Sequence, residues 1–378
     1  MNLNERIAYL IIASSGRALV NSAKKAGYKV DVIDAFLDQE TVLLSSLAFK
    51  VTYTHQFGFD IVELEKLIKQ KFLNSIVVVG SGFEINPEQI NHISKYAPVL
   101  SNSIEIINTV KHPKSLEKLL NEEFIRYPFT TFQRNECSDN KTFLLKEIGA
   151  MGGGHVQRKS RLSNTQPLAN NNFYYQEFIK GNVFSVVFLA NRDRATLIGL
   201  NKHLKSNQFF DQPFLYEGAI SIISKNQKDI DKINAIINKI TKKISLVGLC
   251  GIDFIIDEYG IIFVIDVNPR PPSTFELHES KQSLFPAHLA CFQGDLIHYL
   301  SDNDKCSRGH AIYYAKEDTI IYEELNWPEW VKDRPSSRQT IAVKNPICSI
   351  FAEGDSETQV ENILYKRLEE IELFVKSI

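Results

Sequence analysis

Residues 251–270 constrain this chain more than any other stretch. Gly251-Ile252-Asp253-Phe254-Ile255-Ile256 and Ile261-Ile262-Phe263-Val264-Ile265-Asp266-Val267-Asn268-Pro269-Arg270 flank the turn sequence Asp257-Glu258-Tyr259-Gly260. Two nearly all-apolar, β-branched runs around such a turn predict a hairpin. Each strand carries one acid, and an unpaired carboxylate in apolar surroundings is costly, so Asp253 and Asp266 need a cation. Mg2+ prefers carboxylate oxygens together with phosphate. Asp266 and Asn268 are two residues apart and so share one face of their strand. Arg270 follows just beyond, where its planar guanidinium can hold phosphate or carboxylate. The competing reading is structural: one of the acids pairs with Arg270 or caps a turn. The register across the hairpin does not follow from the sequence.

The rest of the chain organises around that hairpin. At 378 residues it exceeds what one core usually serves, which predicts two or three units. Ile7 to Ile12 reads as a strand ending at Ser14-Ser15-Gly16, Ala18 to Ala26 as a helix, and Val30 to Ile33 as a strand ending at Asp34. Ser75 to Val79 is a further strand, ending at Gly80-Ser81-Gly82. Residues 1–101 are therefore expected to form an open parallel sheet with ligand-facing turns. From Asn102 the pattern is α+β, with a helix over Lys114 to Leu120 and another whose Ile230, Ile233, Ile237, Ile240 and Ile244 make one apolar stripe. This unit is expected to run over 102–299. A last region, 300–378, holds strand-like Ala311 to Tyr314, the anchor-like Trp327 and Trp330, and a helix that Ser356 and Gln359 start as a capping box.

Two more motifs bear on chemistry. Phe143-Leu144-Leu145-Lys146 delivers a lysine at the end of an apolar strand, and Gly149, Gly152, Gly153, Gly154 and His155 follow. Polyphosphate needs a fixed cation and backbone N–H groups free to approach closely, which glycines allow; the bland alternative is a flexible hairpin. No Gly-Lys-Ser/Thr follows, so this is not a Walker-type loop. Tyr174-Tyr175-Gln176-Glu177-Phe178-Ile179-Lys180-Gly181 can offer backbone donors and acceptors to an adenine, with Phe178 and Ile179 as apolar cover, or can be an edge strand entering a turn.

Composition excludes several classes. The 43 basic and 45 acidic residues are spread along the chain, so neither nucleic acid nor a membrane surface is an expected partner, and a small molecule is. The five cysteines form no CxxC pair, which suits a reducing cytoplasm. No apolar run reaches the roughly 18 residues of a membrane helix, and Ile7 to Ala13 is too short for a signal-peptide core. The nine histidines show no HxH or HExxH spacing for zinc. His155 reads as a loop-positioning residue, and Cys250 and Cys291 as buried small hydrophobes.

Taken in order, Lys146 with its glycine loop, Gln176 to Ile179, Asp253, and Asp266-Val267-Asn268-Pro269-Arg270 resemble the ATP-grasp superfamily. Gly80-Ser81-Gly82-Phe83-Glu84, Asn102-Ser103 with Lys111, Gly248 to Phe254, Trp327 to Pro335 and Asn345-Pro346-Ile347-Cys348 look like its branch of ATP-dependent carboligases related to biotin carboxylase. The resemblance implies an α/β and α+β protein: a Rossmann-like N-terminal domain, an ATP-grasp fold of two α+β subdomains and a small C-terminal region. It implies ATP and Mg2+ (or Mn2+) as cofactors. Lys146 would hold the α-phosphate with Lys111 as a second cation, and Gly152, Gly153 and Gly154 would close over the β- and γ-phosphates. Gln176, Glu177, Phe178 and Ile179 would meet adenine; Asp253, Asp266 and Asn268 would hold the metal; Arg270 would face the reacting phosphoryl group. Three positions depart from the family pattern: Asp266 replaces the usual glutamate, Glu147 stands where many relatives have proline, and His112 replaces an acid.

The activity implied is an ADP-forming ligase that joins a carboxylate to an amine or thiol through an acyl phosphate. The branch's association with one-carbon cofactors makes tyramine or glutamate conceivable as substrates, and a homodimer is compatible with it. A kinase that stops at phosphoryl transfer and a non-catalytic ATP-binding regulator are the alternatives. There is no Met-Lys-Met site for biotin, since Met1 and Met151 are the only methionines.

Overall fold

The computed structural model describes residues 8–120, 125–159, 172–205, 208–209, 211–223, 226–279, 282–297, 306–322 and 325–376. The expected boundary at 299/300 and the start of the first strand at Ile7 lie outside them. The N-terminal sheet is parallel and five-stranded, in the order Ala48–Lys50, Val30–Asp34, Ala8–Ala13, Ser75–Val79, Val99–Leu100. Successive side chains of a strand point to opposite faces. Leu10 and Ile12 accordingly pack with Leu64 and Ile68 of the helix Ile61–Lys71, and Ile11 packs with Leu19, Val20 and Ala23 of the helix Arg17–Lys25. Burial on both faces is why these strands read as continuous apolar runs. The strand order reverses between Ala8–Ala13 and Ser75–Val79, the switch point where open parallel sheets place ligands. Ser14 and Ser81 meet there through a hydroxyl pair at 2.7 Å and a backbone bond at 2.8 Å.

A four-stranded antiparallel sheet follows, ordered Gln157–Lys159, Phe143–Glu147, Phe173–Glu177, Thr130–Thr131. The largest sheet has eight antiparallel strands: Ile262–Asn268, Val247–Asp257, Gly181–Asn191, Ala195–His203, Gly218–Ser221, Ser307–Tyr314, Pro346–Gly354 and Val331–Lys332. The helix Gln227–Ile244 lays Ile233, Ile236, Ile237 and Ile240 on one face of it, against Val186, Phe188 and Phe254. The other face meets the helix Phe285–Phe292, which also packs against the N-terminal sheet. While Thr319–Ile321 and Gln339–Ile341 pair with each other in a small sheet of their own, three C-terminal strands, Ser307–Tyr314, Pro346–Gly354 and Val331–Lys332, thus extend this sheet. They carry the helix Glu357–Lys376, with Trp327 buried against Phe374 at a centroid distance of 5.1 Å. Among the described residues no helix is long and apolar enough to cross a membrane.

Candidate active site

The hairpin is present, and its register puts Asp253 directly opposite Asp266 and Gly251 opposite Asn268, with an irregularity after Asp253. Burial pushes the Asp253 carboxyl up, and the facing Asp266 carboxylate adds to it. The Asn268 amide donates to Asp253 at 3.3 Å. Lys111 closes the group from the helix Ile104–Lys111: its ammonium donates to both Asp266 oxygens at 2.8 and 2.9 Å and to Asn268 Oδ1 at 3.1 Å. The ion pair with Arg270 that the sequence left open does not form. Asp266 takes Lys111, and Arg270 takes the buried Glu84, which follows the strand Ser75–Val79 of the N-terminal sheet. Burial alone would raise the Glu84 carboxyl, but the Arg270 and Lys111 charges outweigh it and hold it below its usual range.

Two facing carboxylates and an amide oxygen suit a hard divalent cation that completes its shell with phosphate oxygens. Lys111 offers them a single positive charge, so the donor set fits Mg2+ or Mn2+. Phosphate contact, expected of Lys111, competes here with its hold on Asp266 and Asn268.

Lys146 faces Tyr174 across the small sheet, one diagonal step from Gln176, whose Oε1 accepts from its ammonium at 2.7 Å. Burial lowers the Lys146 pKa to about 8, against the pull of Asp266 and Asp253. The Gln176 amide also donates to Thr130 Oγ1 at 3.3 Å, so its side chain is used within the protein. The N–H groups of Glu177 and Phe178 bond to Phe129 and Thr142 carbonyls at 2.8 Å each. Ile179, next along this edge, lines the cavity described below. Arg158 lies 4.5 Å over the Phe178 ring and 5.9 Å over Phe214, a cation–π stack beside this edge.

The glycine loop is tied down on its far side. Gly149, Gly152 and Gly153 have φ of 74°, 73° and 73°. The Gly152 carbonyl accepts from Tyr216 N–H at 2.8 Å, and a Cβ on Gly153 would lie 1.9 Å from the Phe214 carbonyl oxygen. Gly152 itself has open space around it. His155 stays neutral because burial lowers its pKa to about 4, and its Nδ1 is buried with no partner.

These residues surround one cavity of about 730 Å3. Of the residues expected at the site, Lys111, Lys146, Gly152, Gly153, Gln176, Glu177, Phe178, Ile179, Asp253, Asp266, Asn268 and Arg270 all line it; Gly154 does not. The cavity continues past Asp253 to His203, Tyr216 and His310 and ends at Arg17, Asp38, Glu276 and Asp333, to none of which sequence reasoning gave a role, although Asp333 lies in the Trp327 to Pro335 segment. Arg17 follows directly on Gly16, and that adjacency was its only signal.

Residues 113–274 match the family model described as the ATP-grasp domain. An uncharacterized protein of Methanocaldococcus jannaschii is 24% identical over 381 residues, covering 96% of this chain and 92% of that protein. An N5-carboxyaminoimidazole ribonucleotide synthase from Staphylococcus epidermidis is 24% identical over 305 residues, 75% of each chain. Among solved structures, the biotin carboxylase of Campylobacter jejuni superposes with a TM-score of 0.69 at 11% identity, over 94% of this chain and 89% of that one.

Proposed function

From the premise that this chain carries an ATP-grasp domain behind a parallel N-terminal sheet, we propose that it is an ATP-dependent, ADP-forming ligase that joins a carboxylate to an amine. One observation carries the reading. A single cavity runs from the Lys146 and Ile179 edge, past the Asp253–Asp266–Asn268 group and Arg270, to the switch-point turns of the N-terminal sheet. It has room for a nucleotide and an acceptor side by side.

In this reading adenine lies against Ile179 and Phe178, and Lys146 and Lys111 meet the phosphates. A divalent cation held by Asp253, Asp266 and Asn268 supplies neutralisation of the polyphosphate charge. A carboxylate oxygen of the acid attacks the γ-phosphorus, the bond to the β-bridging oxygen breaks, and ADP leaves. The amine nitrogen then attacks the acyl carbon, phosphate departs with the former carboxylate oxygen, and the nitrogen loses its proton to solvent. Phosphoryl transfer of this kind is mostly positioning and charge neutralisation, so it calls for no covalent step on a protein side chain. Arg270, immobilised by Glu84, presents its remaining edge to the transferring group without first paying for its own ordering.

The test is ADP release from the purified chain with MgATP and paired pools of carboxylic acids and amines, using acid labelled with 18O. Release that needs both partners, with one 18O appearing in phosphate, is expected. Release with an acid alone and a stable phosphorylated product indicates a kinase. Nucleotide binding with no release under any pairing indicates a regulator. A role in one-carbon cofactor assembly, with tyramine or glutamate as a substrate, is part of the same screen.

A further inference from the structure

Lys111 and Lys146 line the same cavity, and their ammonium groups are engaged differently. Lys146 donates to a neutral amide, Gln176 Oε1, at 2.7 Å. Lys111 turns its donors on the hairpin: Asp266 Oδ1 at 2.8 Å, Asp266 Oδ2 at 2.9 Å and Asn268 Oδ1 at 3.1 Å. An ammonium has three N–H donors and no more. Held this way, Lys111 has none left for a phosphate. Its side chain is 6% exposed, so water does little to weaken these charge-assisted bonds.

The oxygens that Lys111 occupies are those a divalent cation needs. A nitrogen almost equidistant from both oxygens of one carboxylate sits where a chelated cation would sit, and a second, doubly charged ion there would repel it. Lys111 also fixes the amide: Asn268 turns its oxygen to Lys111 and its nitrogen to Asp253, at 3.3 Å. Lys111 is the last residue of the helix Ile104–Lys111, and its flexible four-carbon stem lets the ammonium move while the helix stays in place.

We propose that Lys111 is a built-in counter-ion of the Asp266–Asn268 group, that a divalent cation must displace it, and that the displaced ammonium then contacts the nucleotide's phosphates. The proposal rests on the nucleotide- and metal-binding part of the ligase reading and adds a coupling to it. Displacement by metal alone strands a buried ammonium without its carboxylate, which is costly. Phosphate oxygens give it a new partner. Metal and nucleotide therefore favour each other through Lys111, over and above their direct contact, and by linkage the effect is reciprocal.

The test uses binding alone, on the full chain. Mn2+ affinity without nucleotide is read from the paramagnetic resonance signal of free Mn2+. Lys111→Met should bind Mn2+ about tenfold or more tighter than wild type, since no ammonium has to leave, whereas Lys111→Arg, which keeps the charge, should show no such gain. ATP affinity is read by calorimetry, once with EDTA and once with Mg2+. Lys111→Met should change it by less than about twofold with EDTA and weaken it about tenfold with Mg2+. Should the variants fail to fold, acetylation of Lys111 in the wild type, scored by mass spectrometry, carries the test: Mn2+ should raise it and MnATP should lower it again. Mn2+ affinity in Lys111→Met that is unchanged or weaker, an equal gain in Lys111→Arg, ATP weakened alike with EDTA and Mg2+, or labelling indifferent to Mn2+ would overturn the proposal. Absence of Mn2+ and ATP binding in the wild type would overturn it together with the nucleotide reading. Ligation fails separately: the expected binding pattern with no acid- and amine-dependent ADP release removes the ligase and leaves the displacement.

Discussion

The two ends of the cavity are built by different rules. At the end proposed for the nucleotide, polar side chains are grouped over short sequence distances: Asp253, Asp266 and Asn268 sit on one hairpin, and Lys146 and Gln176 on neighbouring strands. At the far end, Arg17, Glu276, His310 and Asp333 come from four segments that meet only in the folded molecule, and the acids outnumber the base. Charge at the first end is poised for phosphate and metal, groups brought by the ligand. Charge at the second end is bound up with tying distant segments together, since Arg17 belongs to a helix packed on the N-terminal sheet and its partners lie near and beyond the end of the large sheet's hairpin, at Glu276 and Asp333.

The sharpest way to break that contrast is Arg17→Met. It strands Glu276 and Asp333 as buried carboxylates without their cation, so folding stability should fall by about 3–5 kcal/mol. Chemical denaturation measures this, and a loss under about 1 kcal/mol would mean that the Arg17 ion pairs do not tie these segments together. Next comes Asp266→Asn, which should lower Mg2+-dependent ADP release on the order of a hundredfold or more while nucleotide still binds and the midpoint of unfolding barely moves. Asp266→Glu should retain substantial turnover. Full turnover in Asp266→Asn would take the hairpin out of catalysis.

A smaller effect is expected from Lys146→Met, a loss of about 1.5–3 kcal/mol of ATP affinity, read by calorimetry. The wild-type affinity should also fall as pH rises through about 8, because the folded protein releases the Lys146 proton there and the phosphates lose their cation. The Met variant should lack that step, and a pH profile common to both proteins would move the titration to another group. The smallest change is expected from Gly152→Ala, about 1 kcal/mol of stability, since the methyl enters open space and only the positive φ is strained. Gly153→Ala should cost clearly more, because its methyl meets the Phe214 carbonyl. Thermal unfolding of the pair ranks them, and equal losses would show that the loop does not rest on Phe214.

The same contrast explains what could be read from the sequence. The parallel strands, the hairpin and the stripe helix each follow from periodicity within a few residues, and the strand Ser75–Val79 has the limits its composition suggested. Asp253, Asp266 and Asn268 could be read as one candidate group, although not in register, because a turn and strand alternation bring them near one another, whereas Lys146 stood out only by its own strand and glycine loop. The partner of Lys111 was not, because 155 residues separate it from Asp266. The Glu84–Arg270 pair spans 186 residues and the Arg17–Asp333 pair 316, distances over which no local pattern carries information. The continuation of the large sheet into Ser307–Tyr314 was hidden for the same reason, since strand pairing through Gly218–Ser221 leaves no mark in either segment alone.

That continuation has a mechanical consequence. The eight-stranded sheet is hydrogen-bonded without a break from the Asp253–Asp266 hairpin to Val331–Lys332, so its far strands cannot swing as a flap without breaking that ladder. The four-stranded sheet shares no strand with it and is joined through Phe178-Ile179-Lys180, between Phe173–Glu177 and Gly181–Asn191. Those three residues work as the spine of a book, and the Tyr216–Gly152 hydrogen bond as its clasp. In the proposed reading a nucleotide would sit at that spine, where the pages meet, so holding adenine would act with the least leverage on opening, and the phosphates, farther out, would act with the most.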